Sequence, residues 1–200
     1  TLVKLLLGYF APTSGNIFLG DTPLQDYDMT SWRHSCGVVL QDSHVFSESL
    51  ARNIAVEDKH IDRTRLRIAA RQSNLEEFIE KLPLKYQTMV GAEGVGLSRG
   101  QEQRIFIARA LYKDPSFVFL DEATNSLDAN NERIITGNLL DFCKGRTVLI
   151  VAHRLSTIRH ADKIVVLHKG RIVEEGTHDE LCARHGYYYE LINNQLIAMG

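Results

Sequence analysis

The most informative segment of this sequence is FVFLDEATNSLD, from Phe117 to Asp128. Its first four residues are apolar, as in the middle of a buried strand, yet they lead directly into two adjacent carboxylates, Asp121 and Glu122. Burying two like charges is costly unless a cation or a proton transfer needs them. The segment therefore predicts a buried strand whose end carries chemistry.

Two further apolar runs predict a parallel sheet. CGVVLQ (36–41) and TVLIVAH (147–153) are continuous runs of the kind found in strands that are covered on both faces. Helical patterns alternate with these runs, which indicates an α/β fold. NIFLGD (16–21) is expected to form an antiparallel edge strand, and KIVVLHKGRIVEEG (163–176) is expected to form a hairpin.

Between residues 41 and 117 the pattern is helical, without a convincing strand, so we expect a helical insertion within the α/β core. Helices are predicted at 49–56, 62–72, 75–82, 100–112 and 187–197, with another one opened by a capping box of Thr177 and Glu180. The expected domains are 1–41 as the first part of the core, 42–115 as the helical subdomain and 116–200 as the second part of the core.

The composition is that of an ordinary globular domain. The chain has 200 residues, of which 44% are apolar, and its formal charge of −2 exerts no general attraction on nucleic acid or anionic lipid. A group of arginines at 63–71 recurs at helical spacing and is interpreted as a solvated helix face. The three cysteines show no metal-site spacing and are interpreted as reduced thiols of a cytosolic protein: Cys36, Cys143 and Cys182.

Each predicted buried strand ends in polar side chains: Gln41, the pair Asp121 and Glu122, and His153. In open parallel sheets ligands bind outside the carboxyl ends of the strands, so these side chains are expected to share one crevice. Asp121 suits Mg²⁺, Glu122 suits a general base, and Gln41 suits the metal or the attacking water. His153 would donate to a developing phosphate charge, which completes a set for phosphoryl transfer to water. Alternatively, Asp121 caps the next helix and His153 is a satisfied core histidine.

LSRGQ, at 97–101, predicts the start of a helix that can bind an anion. Ser98 is a good N-cap, and the backbone N–H groups of Arg99, Gly100 and Gln101 follow it at the positive end of the helix dipole. Taken alone, the motif is weak and usually marks only the start of a helix.

With these motifs in place, the sequence resembles the nucleotide-binding domain of an ABC transporter of the exporter type, along essentially its whole length. The similar motifs are the signature loop LSRGQ, a Walker B strand with its catalytic Glu122, the D-loop aspartate Asp128, the H-loop histidine His153 and the Q-loop glutamine Gln41. The ending YYYELINNQL (187–196) resembles peptide and bacteriocin exporters.

The resemblance implies a P-loop NTPase core of the RecA-like type that binds ATP and Mg²⁺ and powers transport. It implies a membrane-domain partner, a position at the cytoplasmic face of the plasma membrane, and a second nucleotide-binding domain packed head to tail. Signature residues then act on the partner's nucleotide, whereas strand-end residues act in their own chain. The implied roles are Glu122 and His153 as catalytic residues, Asp121 and Gln41 as metal ligands, and Gln41, Ser98, Gly100, Gln101, Asp128 and Thr1 in nucleotide binding.

Three features depart from the family pattern. Arg99 occupies a position that is usually glycine, and Glu93 lies one residue later than the usual acid. No Gly-Lys pair occurs, so the phosphate-cradling Walker A motif is absent from these residues. We therefore expect an N-terminal truncation just after that motif, with Thr1 as its last residue, and little activity from these residues alone.

Two other function classes are less compatible with the sequence than the exporter. An ABC-type ATPase that acts on nucleic acid would carry long heptad coiled coils or basic tracks, and neither is found, so no nucleic-acid partner is expected. A non-catalytic scaffold is disfavoured because the sequence retains both Glu122 and His153.

Overall fold

The structure, a computed structural model, describes residues 1–152 and 158–198, with side chains up to residue 194. The chain forms two compact units, Thr1–Leu149 and Ile150–Gly200. The helices that lie within the first unit are α1 (Leu2–Leu6), α2 (Met29–His34), α3 (Leu50–Ile54), α4 (Arg63–Gln72), α5 (Glu76–Lys81), α6 (Arg99–Lys113) and α7 (Ala129–Cys143). The strands that begin in this unit are β1 (Phe18–Leu19), β2 (Thr22–Pro23), β3 (Cys36–Val39), β4 (Phe117–Asp121) and β5 (Thr147–Val151).

The central sheet has the order β3-β4-β5. β3 runs parallel to β4, with Cys36 opposite Phe117 and Val39 opposite Leu120. Both strands are largely buried, as continuous apolar runs require. The predicted α/β fold with a parallel sheet is thus confirmed, although β3 ends two residues before Gln41.

The N-terminal part differs in detail from the predicted single edge strand. β1 and β2 form a separate antiparallel hairpin of two residues each, joined through Gly20 and Asp21. Gly20 has a φ of +62°, a value that glycine adopts without steric cost. The positive φ permits the chain to reverse after Leu19, so the run forms a hairpin instead of a longer edge strand.

The segment after β3 is helical, with α3, α4 and α5 preceding the long helix α6. Asp62 begins α4 by accepting hydrogen bonds from the backbone N–H groups of Thr64 and Arg65. The helices α3 and α4 pack against α6, whose Ile105 and Ile107 are fully buried. Between β3 and β4 the described residues form two isolated β-bridges and no strand of two or more residues. The domain boundaries at 42 and 115 remain predictions.

The second unit contains an antiparallel hairpin and two helices. The strands β6 (Ile164–His168) and β7 (Arg171–Gly176) are joined by Lys169 and Gly170, which both have positive φ. This confirms the predicted hairpin, because two such residues form the tight turn that suits twisted strands. The helices are α8 (His178–Ala183), which begins with the predicted Thr177–Glu180 capping box, and α9 (Tyr187–Ala198).

Membrane spans and disulfides are not features of the described residues. None of the helices in residues 1–152 and 158–198 has the length and apolar character needed to cross a bilayer. All three cysteines are free thiols, and burial raises the pKa of the Cys36 thiol to about 11.

Candidate functional site

The parallel pairing of β3 and β4 brings two of the predicted site residues together. Gln41 follows β3 by two residues, and Glu122 directly follows β4. Although 81 positions separate them, the Nε2 atom of Gln41 donates to Oε2 of Glu122 at 3.4 Å. The in-register strands therefore place an amide and a carboxylate side by side at one edge of the sheet.

Asp121 is the last residue of β4 and is half-buried. It does not cap the following helix, since Asp128 fills that position by accepting from the backbone N–H groups of Asn130 and Asn131. The capping alternative for Asp121 is thus wrong. Its carboxylate remains available for another role at the strand end.

A lysine from α1 pairs with a carboxylate next to Gln41. The Nζ atom of Lys4 is 2.6 Å from Oδ2 of Asp42, the residue after Gln41. That hydrogen bond is the main cause that raises the pKa of Lys4, and the negative charge of Asp121 adds a smaller contribution. Lys4 is therefore a cation within electrostatic reach of both Asp42 and Asp121, and sequence reasoning assigned it no role.

The backbone of Glu122 is held in an unusual conformation. Its φ is +53°, in the left-handed region, where a non-glycine residue costs roughly 1–3 kcal/mol. The Nε2 atom of Gln103, on α6, donates to the Glu122 carbonyl at 2.9 Å. Asn125 donates through Nδ2 to Oε2 of the Glu122 side chain at 2.6 Å. Both the backbone and the carboxylate of Glu122 are thus fixed by neighbouring amides.

The LSRGQ segment begins α6 as predicted. Oγ of Ser98 accepts from the backbone N–H of Gln101 at 3.2 Å, and Oε1 of Gln101 accepts from the backbone N–H of Ser98 at 2.8 Å. This reciprocal capping box orders the first turn of the helix. It also occupies the Gln101 N–H, one of the three donors predicted for an anion, whereas Ser98 and Arg99 are exposed.

Gly100 has a packing role within its own chain. A Cβ atom at this position would lie 3.3 Å from the carbonyl oxygen of Ser126. The first turn of α6 therefore approaches the loop that follows Glu122 closely enough that a larger residue would require the Ser126 carbonyl to shift by a few tenths of an ångström. This contact links the LSRGQ segment to the strand-end acids.

The remaining predicted residues lie at helix ends or outside the described part of the chain. Asp128 caps α7, and its hydrogen bond from the Asn131 backbone is the main cause that lowers its pKa. Thr1 is exposed at the N-cap of α1 and makes no side-chain capping bond. His153 lies outside the described residues.

The donor set at the strand ends suits Mg²⁺ bound together with a phosphate substrate. Within the described residues, His, Cys, Asp and Glu form no cluster of three that could hold a metal alone. Mg²⁺ is commonly bound by one or two protein oxygens together with waters and substrate phosphates. Asp121 offers a carboxylate, and Gln41, whose Nε2 is directed to Glu122, offers its amide oxygen. These residues fit that mode of binding.

The sequence matches a known family and several curated proteins. The family model described as "ABC transporter" matches residues 1–125. The chain is 45% identical over 191 residues to the "ATP-dependent lipid A-core flippase" of Chromohalobacter salexigens, covering 96% of this chain and 33% of that protein. It is 44% identical over 192 residues to the "Toxin RTX-I translocation ATP-binding protein" of Actinobacillus pleuropneumoniae, covering 96% of this chain and 27% of that protein.

The fold also matches a solved structure, described as a bacterial Atm1-family ABC exporter with ATP bound. The TM-score is 0.93 at 36% sequence identity, and the match covers 98% of this chain and 34% of that one. A further relative is the "Putative multidrug export ATP-binding/permease protein YgaD" of Bacillus subtilis, 45% identical over 195 residues that cover 98% of this chain and 34% of the relative. The chain spans about a third of the length of such relatives.

Proposed function

The chain belongs to the ABC transporter family, and we propose that it is the ATP-binding and ATP-hydrolysing domain of an exporter that drives transport across a membrane. The observation that carries the proposal is the contact between Gln41 and Glu122 at the ends of neighbouring strands, beside Asp121. The names of the relatives, which include a flippase, a multidrug exporter and a toxin translocator, support the exporter class.

The site residues divide the work of phosphoryl transfer. Asp121 and Gln41 would hold Mg²⁺, and the bound ion would supply positive charge that offsets the phosphates of ATP. Glu122 orients the attacking water and accepts its proton, a role that the fixed carboxylate supports. His153 donates to the transferring phosphate, an assignment that comes from the sequence motif.

A second copy of the domain completes each nucleotide site. Ser98, Gly100 and Gln101 contact the nucleotide of the partner domain, and the exposure of Ser98 at the start of α6 is compatible with this role. Asp128 and Thr1 lie at the edges of the nucleotide sites. Residues 1–41 and 116–200 would form the ATPase core, with 42–115 as the helical subdomain.

The other proposed partner is the membrane domain of the exporter, which places the chain at the cytoplasmic face of the plasma membrane. The length of the relatives supports this partner. The chain matches about a third of each relative, so the remaining two thirds leave room for a membrane domain. For the cargo we propose a peptide. The ending YYYELINNQL (187–196) supports it. The names of the relatives indicate other cargoes, a toxin in one and lipid A-core in another.

Phosphate release from ATP by the assembled exporter tests the proposed function. We expect turnover that requires Mg²⁺, stops with a chelator and does not respond to duplex DNA. Stimulation by DNA would favour the nucleic-acid-associated alternative, and no turnover at all would contradict an ATPase.

The same assay applies to these 200 residues alone. We expect at least tenfold less turnover from them, because they contain no Gly-Lys pair to offset the triphosphate charge. Turnover equal to that of the exporter would contradict this expectation.

Replacing Arg99 by glycine is expected to change ATP turnover by less than tenfold, or about 1.4 kcal/mol. Arg99 is exposed at the start of α6, and we propose that the backbone of this turn, and not the guanidinium, faces the phosphate. Arg99→Ala is the matched control, since it removes the guanidinium without adding a glycine. A larger loss in both variants would mean that the guanidinium contacts the nucleotide.

A further inference from the structure

We propose that Gln103 is the positioning residue for Glu122, and that it couples the first turn of α6 to the carboxylate that activates water. The inference rests on the proposed function and adds a residue to it. Gln103 lies one turn after Gly100 on α6, and 19 positions before Glu122 in the chain. Its side chain reaches across to the loop that follows β4.

One amide group fixes both ends of this loop. Nε2 of Gln103 donates to the carbonyl oxygen of Glu122 at 2.9 Å, and Oε1 of Gln103 accepts from the backbone N–H of Ser126 at 2.7 Å. Both distances are those of good hydrogen bonds. Since an amide is planar, the two bonds hold the Glu122 carbonyl and the Ser126 N–H at a fixed separation.

The two hydrogen bonds from Gln103 to Glu122 and Ser126 are called the clamp below, and the conformation of Glu122 explains why they matter. A non-glycine residue in the left-handed region persists only where its surroundings hold it there. The direction of the Glu122 side chain depends on this backbone conformation. The Glu122 carbonyl also accepts from the backbone N–H of Asn125 at 3.2 Å, a bond within the loop, so Gln103 adds the bond that ties this carbonyl to α6. Loss of the Gln103 bond would let the loop shift against α6 and turn the carboxylate away from Gln41.

The clamp also connects two surfaces that serve different nucleotides in the proposed dimer. The first turn of α6 packs its Gly100 against the Ser126 carbonyl and carries the residues proposed for the partner's nucleotide. Gln103 bonds Ser126 and Glu122 from the same helix. A shift of α6 upon binding the partner's nucleotide would therefore be transmitted to Glu122, which acts on the nucleotide of its own chain.

Two substitutions in the assembled exporter test this role. Gln103→Met keeps the length of the side chain and removes both bonds. Gln103→Glu keeps an acceptor for Ser126 but places an oxygen against the Glu122 carbonyl. We expect each to lower kcat by about tenfold, with KM for MgATP changed by less than twofold.

A double-mutant cycle separates positioning from a purely structural role. If Gln103 acts through the Glu122 carboxylate, Gln103→Met has less than a twofold effect on kcat in a Glu122→Gln background. The same substitution at an exposed glutamine of the insertion, Gln87→Met, is the matched control and should leave kcat unchanged. Circular dichroism shows whether Gln103→Met is folded. If it is not, the effect of Gln103→Glu on kcat in the two backgrounds tests the positioning role instead.

Each outcome points to one conclusion. Equal losses of kcat in the native and Glu122→Gln backgrounds, or an unchanged kcat in both Gln103 variants, would overturn the positioning role. Near-native turnover of Glu122→Gln would remove Glu122 from the mechanism and overturn the positioning role with it. No ATP turnover in the native exporter would instead contradict the proposed function, so the two failures are distinguishable.

Discussion

Exchanging Glu122 for glutamine is expected to lower kcat for ATP hydrolysis by about 10²–10⁴-fold while leaving the affinity for MgATP within about twofold. The substitution is nearly isosteric, and the new amide oxygen can still accept the hydrogen bond from Asn125. What disappears is the basicity that draws the proton from water. The loss should therefore appear in the chemical step and not in binding.

Phosphate release and equilibrium binding of a fluorescent ATP analogue measure the two quantities separately. Glu77→Gln provides the control, because Glu77 is an exposed carboxylate paired with Lys81 on the surface of α5, where such pairs contribute little. Near-normal turnover in Glu122→Gln would remove this residue from the mechanism. A loss of binding would assign it instead to holding the nucleotide.

The strands were predictable because their signal is local. The continuous apolar run from Phe117 to Leu120 has few alternatives to a strand covered on both faces, and the structure places β4 (Phe117–Asp121) there. The Lys169-Gly170 turn likewise predicts its hairpin, since Gly170 adopts positive φ without steric cost, and the structure gives both residues positive φ. In each case neighbouring residues contain the whole reason for the conformation.

The approach of Gln41 to Glu122 was predictable for a different reason. Polar residues that follow parallel strands meet at the carboxyl edge of the sheet, so the topology alone brings them close. The expected roles of these residues, in contrast, came from the resemblance to a family. Geometry supplies the proximity of these residues, whereas the chemistry of each side chain and the family pattern supply the roles of metal ligand and base.

Gln103 and Lys4 could not be found from the sequence because their partners are distant. Gln103 reaches Glu122 only through the packing of α6 beside the strand end, and Lys4 reaches Asp42 across 38 positions. Glutamine and lysine on helices are ordinary solvent-facing residues, and no spacing rule marks either of them. The left-handed conformation of Glu122 is also invisible in the sequence, since tertiary contacts hold it.

The short helix α2 shows a second limit of prediction from sequence, which is the length of the element. α2 has six residues capped by Asp28 through the backbone N–H of Ser31, which is too short for a helical period to be recognised. Its Trp32 is buried and donates from its indole to the Leu6 carbonyl at 2.9 Å. Tertiary packing, and not a local pattern, therefore makes this element stable.

Replacing Asp121 by asparagine is expected to lower kcat/KM by about 10²–10³-fold at low Mg²⁺. The reason is that a bound metal stabilises the charged transition state of the phosphate by several kcal/mol. Asparagine keeps the size of the side chain and one oxygen but removes the negative charge that attracts the cation. The measurement is phosphate release over a range of Mg²⁺ concentrations. Asp26→Asn, at an exposed aspartate in a short 3₁₀ turn, is the control and should behave as the native protein.

The dependence on Mg²⁺ separates Asp121 from its neighbour Glu122. If Asp121 binds the metal, Asp121→Asn raises the Mg²⁺ concentration needed for half-maximal turnover, and added Mg²⁺ restores part of the rate. Glu122→Gln should lose turnover at every Mg²⁺ concentration, since its defect lies in proton transfer. The same Mg²⁺ requirement in both variants would contradict this division of roles. It would mean that the two adjacent carboxylates at the end of β4 act as a single unit.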